Sequence, residues 1–580
     1  MILRYLNPRQ WVLVCICALF IAIQVYLDLR IPEYMNAMTD AILDGTAQEL
    51  MWNYGGGMAV CAFLSLGASL ISGYIAAYVT GQLCRELRIR QFEKVQQFSS
   101  EDVGDLTIAS LITRSTSDVY QIQVFVARGM LIFIRAPIMA VWALCKIAGS
   151  NWQWTAATAV ASVIIVIVVL LIINRSRFYF RKIQWLTDNI NCVTGESIEG
   201  VRTVRAYNAE DYQLNRLEKA NEDLIRNNLT ALKYNSPMYP FTSAIQNLLT
   251  LSIYWIGAGL ISSAPDHTEQ LLLFSDMIVF TSYALQVVSA FLMITGMMRI
   301  LPRAMVASQR IQEVIERKPT IIDGTEADGI AGYEGQISME NVTFTYPGSR
   351  RPAVKNISLE VKKGETLALI GPTGSGKSTV VRLMCRLYDP EEGKITVSGR
   401  DVKEYRQTDL HNQFGYVPQS AVIFSGSVRY NVNYGRHSKE RTEEDIWDAL
   451  RVAQSEDFVK EMEGGLDASI SQQGRNISGG QKQRISIARA ICKRPDIFIF
   501  DDSFSALDFK TDKALRSALR SKTKDSTVVI VAQRVGTIRD ADRIVVMDGG
   551  EIVGIGTHDE LMENCPLYNS IATLQFSEVS

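Results

Sequence analysis

The chain has 580 residues, 47% of them hydrophobic and 21% charged, with a formal net charge of −2. That length allows several domains, and the absence of any basic run or Lys/Arg block interleaved with aromatics argues against a nucleic-acid partner. The 9 cysteines are scattered, with no CxxC pair and no zinc-like quartet, so they read as buried thiols in a reducing or lipid setting.

Long apolar runs fill roughly the first 300 residues. A bilayer core needs about 20 apolar helical residues to cross it. Segments 11–27, 58–79, 124–145, 154–173, 241–260 and 271–298 qualify. The first follows Arg4 and Arg9 but is long for a signal peptide, and no small-residue cleavage site follows it, so it is read as a retained span. Arg128 and Arg135 fall within the third, where snorkelling to the inner interface is the expectation.

Charge sets the orientation. The segment after the second span holds Arg85, Arg88, Arg90, Lys94 and Arg114; the one after the fourth holds Arg175, Arg177, Arg181, Lys182, Arg202, Arg205, Arg216, Lys219, Arg226 and Lys233. The alternate loops are almost without Lys or Arg, so both long loops and both termini are expected at the cytoplasmic face. These loops are too long and too rich in helix formers to be slack. They suit spans that continue as helices below the membrane, turn and return, with polar turns expected at 113–118 and 207–216.

The rest of the chain reads as α/β. The apolar string Leu367-Ala368-Leu369-Ile370 runs into Gly371-Pro372-Thr373-Gly374-Ser375-Gly376-Lys377-Ser378, then Thr379. This is G-x-x-x-x-G-K-[ST] between a strand and a helix, where backbone N–H groups and a helix N-terminus converge on phosphates. Lys377 would reach the β/γ-phosphates and Ser378 would ligate Mg²⁺. Farther on, Ile497-Phe498-Ile499-Phe500 ends in Asp501 and Asp502, which places a carboxylate for Mg²⁺ at a strand's carboxyl end. Between them, Ser478-Gly479-Gly480-Gln481 opens a helical pattern and forms a second phosphate cradle. Two cradles on one domain imply a head-to-tail dimer that sandwiches two nucleotides.

Over essentially its whole length the chain resembles the ATP-binding-cassette exporters. Ile477-Ser478-Gly479-Gly480-Gln481 resembles the family signature, with Ile for Leu. Tyr346 matches the aromatic that stacks on adenine, Gln419 the glutamine that senses Mg²⁺ and the membrane domain, and Ser505-Ala506-Leu507-Asp508 the D-loop. The resemblance implies an α-helical six-span transmembrane domain followed by an α/β P-loop nucleotide-binding domain with a helical subdomain. The boundaries expected are 1–315 for the membrane domain with its cytoplasmic extensions, 316–335 for a linker and 336–580 for the ATPase domain. It also implies ATP and Mg²⁺ as cofactors, with Ser378, Gln419 and Asp501 around the metal. A second half-transporter, a multi-pass place in a bacterial cell membrane and an amphipathic drug or lipid as substrate follow from it too. The cytoplasmic turns would then act as coupling helices, the second docking on the opposite subunit.

Two positions depart from the family. Asp502 stands where the catalytic residue is normally Glu, and Gln533, in Val531-Ala532-Gln533-Arg534, stands where a histidine is normal. Asp is one methylene shorter, which withdraws its carboxylate by roughly 1–1.5 Å from the attacking water, and a misplacement of that size costs on the order of 10²-fold in rate. Gln donates a hydrogen bond but carries no charge. The expectation is a site that keeps ATP and hydrolyses it slowly. A different partner chain would supply Glu and His, while this chain's Ser478, Gly479, Gly480 and Gln481 face the partner's ATP. The alternatives are a slow homodimeric exporter and an ATP-gated regulatory subunit. On the last two spans, Gln246, Asn247, Tyr283, Gln286, Phe291, Met293 and Met297 are candidate cavity residues.

Overall fold

The computed structural model describes residues 2–43, 48–148, 151–298, 300–435 and 440–577. The chain forms two compact units, Met1–Val95 with Ala109–Arg317, and Gln96–Ile108 with Lys318–Ser580.

The first unit is helical. Its long helices are Pro8–Leu43, Gln48–Val95, Val119–Ala148, Trp152–Glu199, Met238–Ser263 and His267–Met298, with Glu210–Asn235 completing the second long hairpin between spans. Among the described residues, 6 helices are long and apolar enough to cross a membrane. Their inward faces form one core around Ile21, Leu83, Trp154, Ile165, Ile253 and Val287. Their outward faces are apolar too: Phe63 is 75% exposed, Leu70 66% and Trp255 79%. Helices apolar on every side suit lipid rather than water as surroundings.

Three expectations for this unit change. Arg135 turns inward, and its Nη2 donates to Asp28 Oδ2 on the first span at 3.0 Å. A guanidinium in an apolar bundle is stabilised by a fixed carboxylate more than by a long reach to the interface. Tyr283 and Met297 are 5% and 1% exposed, packed within the unit, and Tyr283 donates its hydroxyl to the Leu29 carbonyl at 3.2 Å. They line no open surface of this unit. Residues 113–118 are not a turn; they form a single π-helical stretch, Arg114–Asp118, inside a continuing helical run. The first turn between spans lies earlier, around the short helix Ser100–Leu106, capped by Ser99 and Asp102. The second turn falls at 207–209, between Val201–Ala206 and Glu210–Asn235, within the expected stretch.

The second unit contains two larger sheets. One is antiparallel, in the order Val354–Val361, Ile337–Phe344, Glu392–Val397, Arg400–Asp401. The other runs Glu551–Gly556, Arg543–Asp548, Thr366–Ile370, Thr527–Val531, Ile497–Asp501, Phe414–Val417. Its inner strands are parallel and read as continuous β-branched and aromatic strings because both faces are covered. Helices Glu443–Val452, Glu456–Glu461 and Gly479–Lys493 pack with Ile423, Val428 and Val432 in a separate apolar cluster, the helical subdomain.

Candidate nucleotide site

Parallel register assembles the site. Val531 pairs with both Leu369 and Asp501, and Val417 pairs with Phe500. Four adjacent strands therefore end together, and the segments beginning at Gly371, Pro418, Asp502 and Ala532 leave from one edge of the sheet. Ligands of open α/β sheets bind at that carboxyl edge.

The phosphate loop is shaped by glycine. Gly371, Gly374 and Gly376 have φ of +155°, +85° and +97°. A Cβ on Gly371 would lie 2.0 Å from the Met547 carbonyl oxygen, and one on Gly376 2.6 Å from that of Ala353. Only glycine lets the loop fold this tightly against neighbouring backbone. The helix Lys377–Met384 follows at once. Lys377 Nζ donates to the carbonyls of Gly371 and Pro372 at 2.8 and 2.7 Å and to Ser375 Oγ at 3.2 Å. Burial lowers the pKa of this ammonium, against the pull of Asp502 and Asp501.

The residues fit a divalent cation. Asp501 is 1% exposed and its Oδ1 accepts from Ser378 Oγ at 2.7 Å. Its Oδ2 is buried with no hydrogen-bond partner among the described residues. A buried carboxylate oxygen without a donor is costly, and a cation would satisfy it. Among the described residues no group of three or more His, Cys, Asp or Glu is placed to hold a metal. The protein thus offers one carboxylate and one hydroxyl, the sparse set typical of Mg²⁺ held with phosphates and water.

Asp502 is 7% exposed and sits at φ +48°, a left-handed conformation that Asp tolerates better than most residues. Its N–H donates to the Val531 carbonyl at 3.0 Å. Its Oδ2 accepts from Gln533 Nε2 at 2.7 Å and from Gln419 Nε2 at 3.3 Å. Burial raises the pKa of the carboxyl and the adjacent Asp501 adds to this, while hydrogen bonds from Ser505, Gln419 and Gln533 oppose it. The structure thus brings Asp502, Gln533 and Gln419 together, with Gln419 directed at Asp502.

Tyr346 is half-buried, its ring edge-on to Phe344 and Tyr388. Its hydroxyl lies 3.1 Å from Thr379 Oγ1 and accepts from Arg382 Nη1 at 3.2 Å. Arg382 and Tyr388 were not singled out in the sequence. Thr379 and Arg382 stand three apart and share one helix face, a spacing that would have pointed to Arg382.

The second cradle stands on the helix Gly479–Lys493. Ser478 is its N-cap: Ser478 Oγ accepts from Gln481 N at 3.3 Å, and Gln481 Oε1 accepts from Ser478 N at 2.8 Å. Gly480 borders the D-loop, since a Cβ there would lie 3.4 Å from the Ala506 carbonyl oxygen.

Comparison with known proteins agrees with this anatomy. Residues 14–291 match the ABC transporter transmembrane region family and residues 354–505 match the ABC transporter family. An uncharacterized ABC transporter ATP-binding protein of Mycobacterium tuberculosis is 37% identical over 87% of this chain and 85% of its own length. The YfiB protein of Bacillus subtilis, an uncharacterized ABC transporter ATP-binding protein, is 31% identical over 99% of this chain and 98% of its own. An ATP-dependent lipid A-core flippase of Vibrio parahaemolyticus is 28% identical over 90% and 88%. A bacterial Atm1-family ABC exporter with ATP bound shares the fold, with a TM-score of 0.83 and 22% identity over 100% of this chain and 98% of that one. With a membrane region and one ATPase domain on a single polypeptide, the chain belongs to the ABC transporter family, as a half-transporter with the exporter fold.

Proposed function

We propose that this chain is one half of an ATP-driven exporter of amphipathic molecules, drugs or lipids, and that its own ATP site holds nucleotide but hydrolyses it slowly. The observation that carries the second part is the hydrogen bonding of Asp502 to Gln533 at 2.7 Å and Gln419 at 3.3 Å. The short carboxylate is held by two neutral amides, and no charged donor stands at the Gln533 position to steady a γ-phosphate. The phosphate loop from Gly371 to Thr379 would bind the phosphates, with Lys377 as cation, and Tyr346 would support adenine. Ser378, Asp501 and Gln419 would surround Mg²⁺, which supplies charge neutralisation between phosphate oxygens when bound.

A site that rarely turns over needs a competent one beside it. We therefore infer a different half-transporter as partner, carrying Glu and His, with Ser478, Gly479, Gly480 and Gln481 of this chain completing the partner's site. The relative named as a lipid A-core flippase supports a lipid-like substrate class. The charge asymmetry of the loops supports a bacterial cell membrane with the termini and ATPase domain cytoplasmic.

The test is reversion. Asp502→Glu with Gln533→His, in the assembled transporter, should raise hydrolysis at this site by on the order of 10²-fold, the lower end of what a positioned general base contributes. Each single change should give less than half of that gain on a logarithmic scale. An unchanged rate in the double variant would overturn the slow-site reading.

A further inference from the structure

The sequence places residues 96–108 between two membrane-spanning segments, yet they belong to the same compact unit as the ATPase fold. One side chain does much of the joining. Asp102 is 0% exposed. Its Oδ2 takes the Ser99 backbone N–H at 3.1 Å, closing the cap of Ser100–Leu106. The same carboxylate then reaches 218 residues along the chain: Oδ2 accepts from Thr320 N at 3.0 Å and Oδ1 from Thr320 Oγ1 at 2.8 Å. A helix cap needs only the first of these bonds. The bonds to Thr320 fix the hairpin to the segment that leads into the ATPase fold.

Two residues on, the same segment is held from the nucleotide side. Arg386, 3% exposed and at φ +52°, follows the phosphate-loop helix directly. Its Nη2 donates to the Ile322 carbonyl at 2.9 Å and its Nε to Asp389 Oδ1 at 3.0 Å. A second route starts at the base end, where Tyr388, edge-on to Tyr346 with ring centroids 5.4 Å apart, is hydrogen-bonded to Ser100. Both ends of the nucleotide site thus lead to one hairpin. Hydrogen bonds weaken steeply with distance and angle, so such joints fix register where apolar packing would allow sliding.

We propose that Asp102 and Thr320 form a latch in cis, through which displacement of the phosphate-loop helix is delivered to the hairpin joining the second and third spans. Asp102 is on this account a positioning residue, acting through Thr320 and Arg386. The inference goes beyond slow hydrolysis and needs only that nucleotide binds.

The test uses the full chain in lipid nanodiscs, with hydrogen exchange read with and without Mg²⁺ and AMP-PNP, and nucleotide binding followed in the same samples with a fluorescent ATP analogue. In the wild type, residues 99–106 and 318–322 should change exchange together on nucleotide binding. In Thr320→Val, which keeps the backbone N–H bond to Oδ2 and loses the hydroxyl bond to Oδ1, 318–322 should still respond while the response of 99–106 weakens, and 99–106 should exchange about tenfold faster throughout, as for loss of one hydrogen bond to a charged group. Nucleotide affinity should stay within about twofold, because no group of the phosphate loop is touched. Thr320→Ser, which keeps the hydroxyl, should restore coupling and so separates the latch from a general loss of folding. Equal responses of 99–106 in wild type and Thr320→Val would overturn the latch alone, as would an unresponsive 99–106 with nucleotide bound. Absence of nucleotide binding to the wild type would overturn the ATP-site reading and the latch with it.

Discussion

His411 shows how one buried ring makes the ATPase fold sensitive to pH. Its Nε2 lies 2.9 Å from the Cys385 carbonyl. A carbonyl only accepts, so Nε2 carries the proton and the ring is the neutral Nε2–H tautomer. Burial holds its pKa below the ordinary value, and Lys493 and Arg386 nearby disfavour the imidazolium further, outweighing the bond to Cys385. Between the depressed folded pKa and the unfolded value near 6.5, the unfolded chain binds a proton that the folded chain does not. Stability from this residue is therefore complete above about pH 6.5 and is lost as pH falls through the folded pKa. Thermal unfolding of the ATPase fold should drop between pH 7.5 and 5.5, and His411→Gln should flatten that drop even if it lowers the midpoint at pH 7.5. An identical pH slope in the variant would contradict the assignment. The residues at the phosphate loop were legible in the sequence because their spacing is local: eight consecutive positions define both the backbone path and the chemistry. Asp502 was legible only as a departure, and its pairing with Gln533, 31 positions away, came from strand register.

At the scale of elements, the cap that makes Ser478 a helix start is also what orders the second cradle. Ser478→Ala removes the side-chain acceptor for Gln481 N and should cost about 1 kcal/mol, the usual worth of an N-cap hydroxyl. The unfolding midpoint should fall accordingly, and hydrolysis by the assembled transporter should fall more than the stability loss explains, because the exposed hydroxyl would face the partner's nucleotide. Ser478→Thr should recover the stability. A stability loss with hydrolysis unchanged would remove Ser478 from the partner's site. The spans were legible because apolar length leaves few alternatives. The first turn between spans was not: a helical run without Gly or Pro between residues 105 and 128 offers no break, so the polar stretch 113–118 looked like one. Ser99-Ser100-Glu101-Asp102, a capping-box pattern with Asp in place of Glu, was the local signal that marked the true position. That Asp102 also holds Thr320 could not be read locally, since nothing near either residue in sequence indicates the other.

For the whole molecule, the consequence of a short carboxylate is a statement about assembly. On the slow-site proposal, two copies of this chain would contain two sites built around Asp502 and Gln533, each binding ATP through the phosphate loop and each slow to release it by hydrolysis. Two chains of different sequence would contain one such site and one site in which Ser478, Gly479, Gly480 and Gln481 of this chain meet a partner's Glu and His. The two arrangements separate when the chain is purified alone and together with a co-encoded half-transporter. The solitary chain should bind a fluorescent ATP analogue and show ATPase activity on the order of 10²-fold below the pair, since a base misplaced by about 1 Å costs that much. Vesicle uptake of a fluorescent amphipathic dye should require both chains. Glu→Gln in the partner's site should abolish turnover, whereas Asp502→Asn in this chain should leave most of it. Robust hydrolysis and uptake by the solitary chain would show that the geometry at Asp502 suffices, and the transporter would then be a homodimer working through two equal sites.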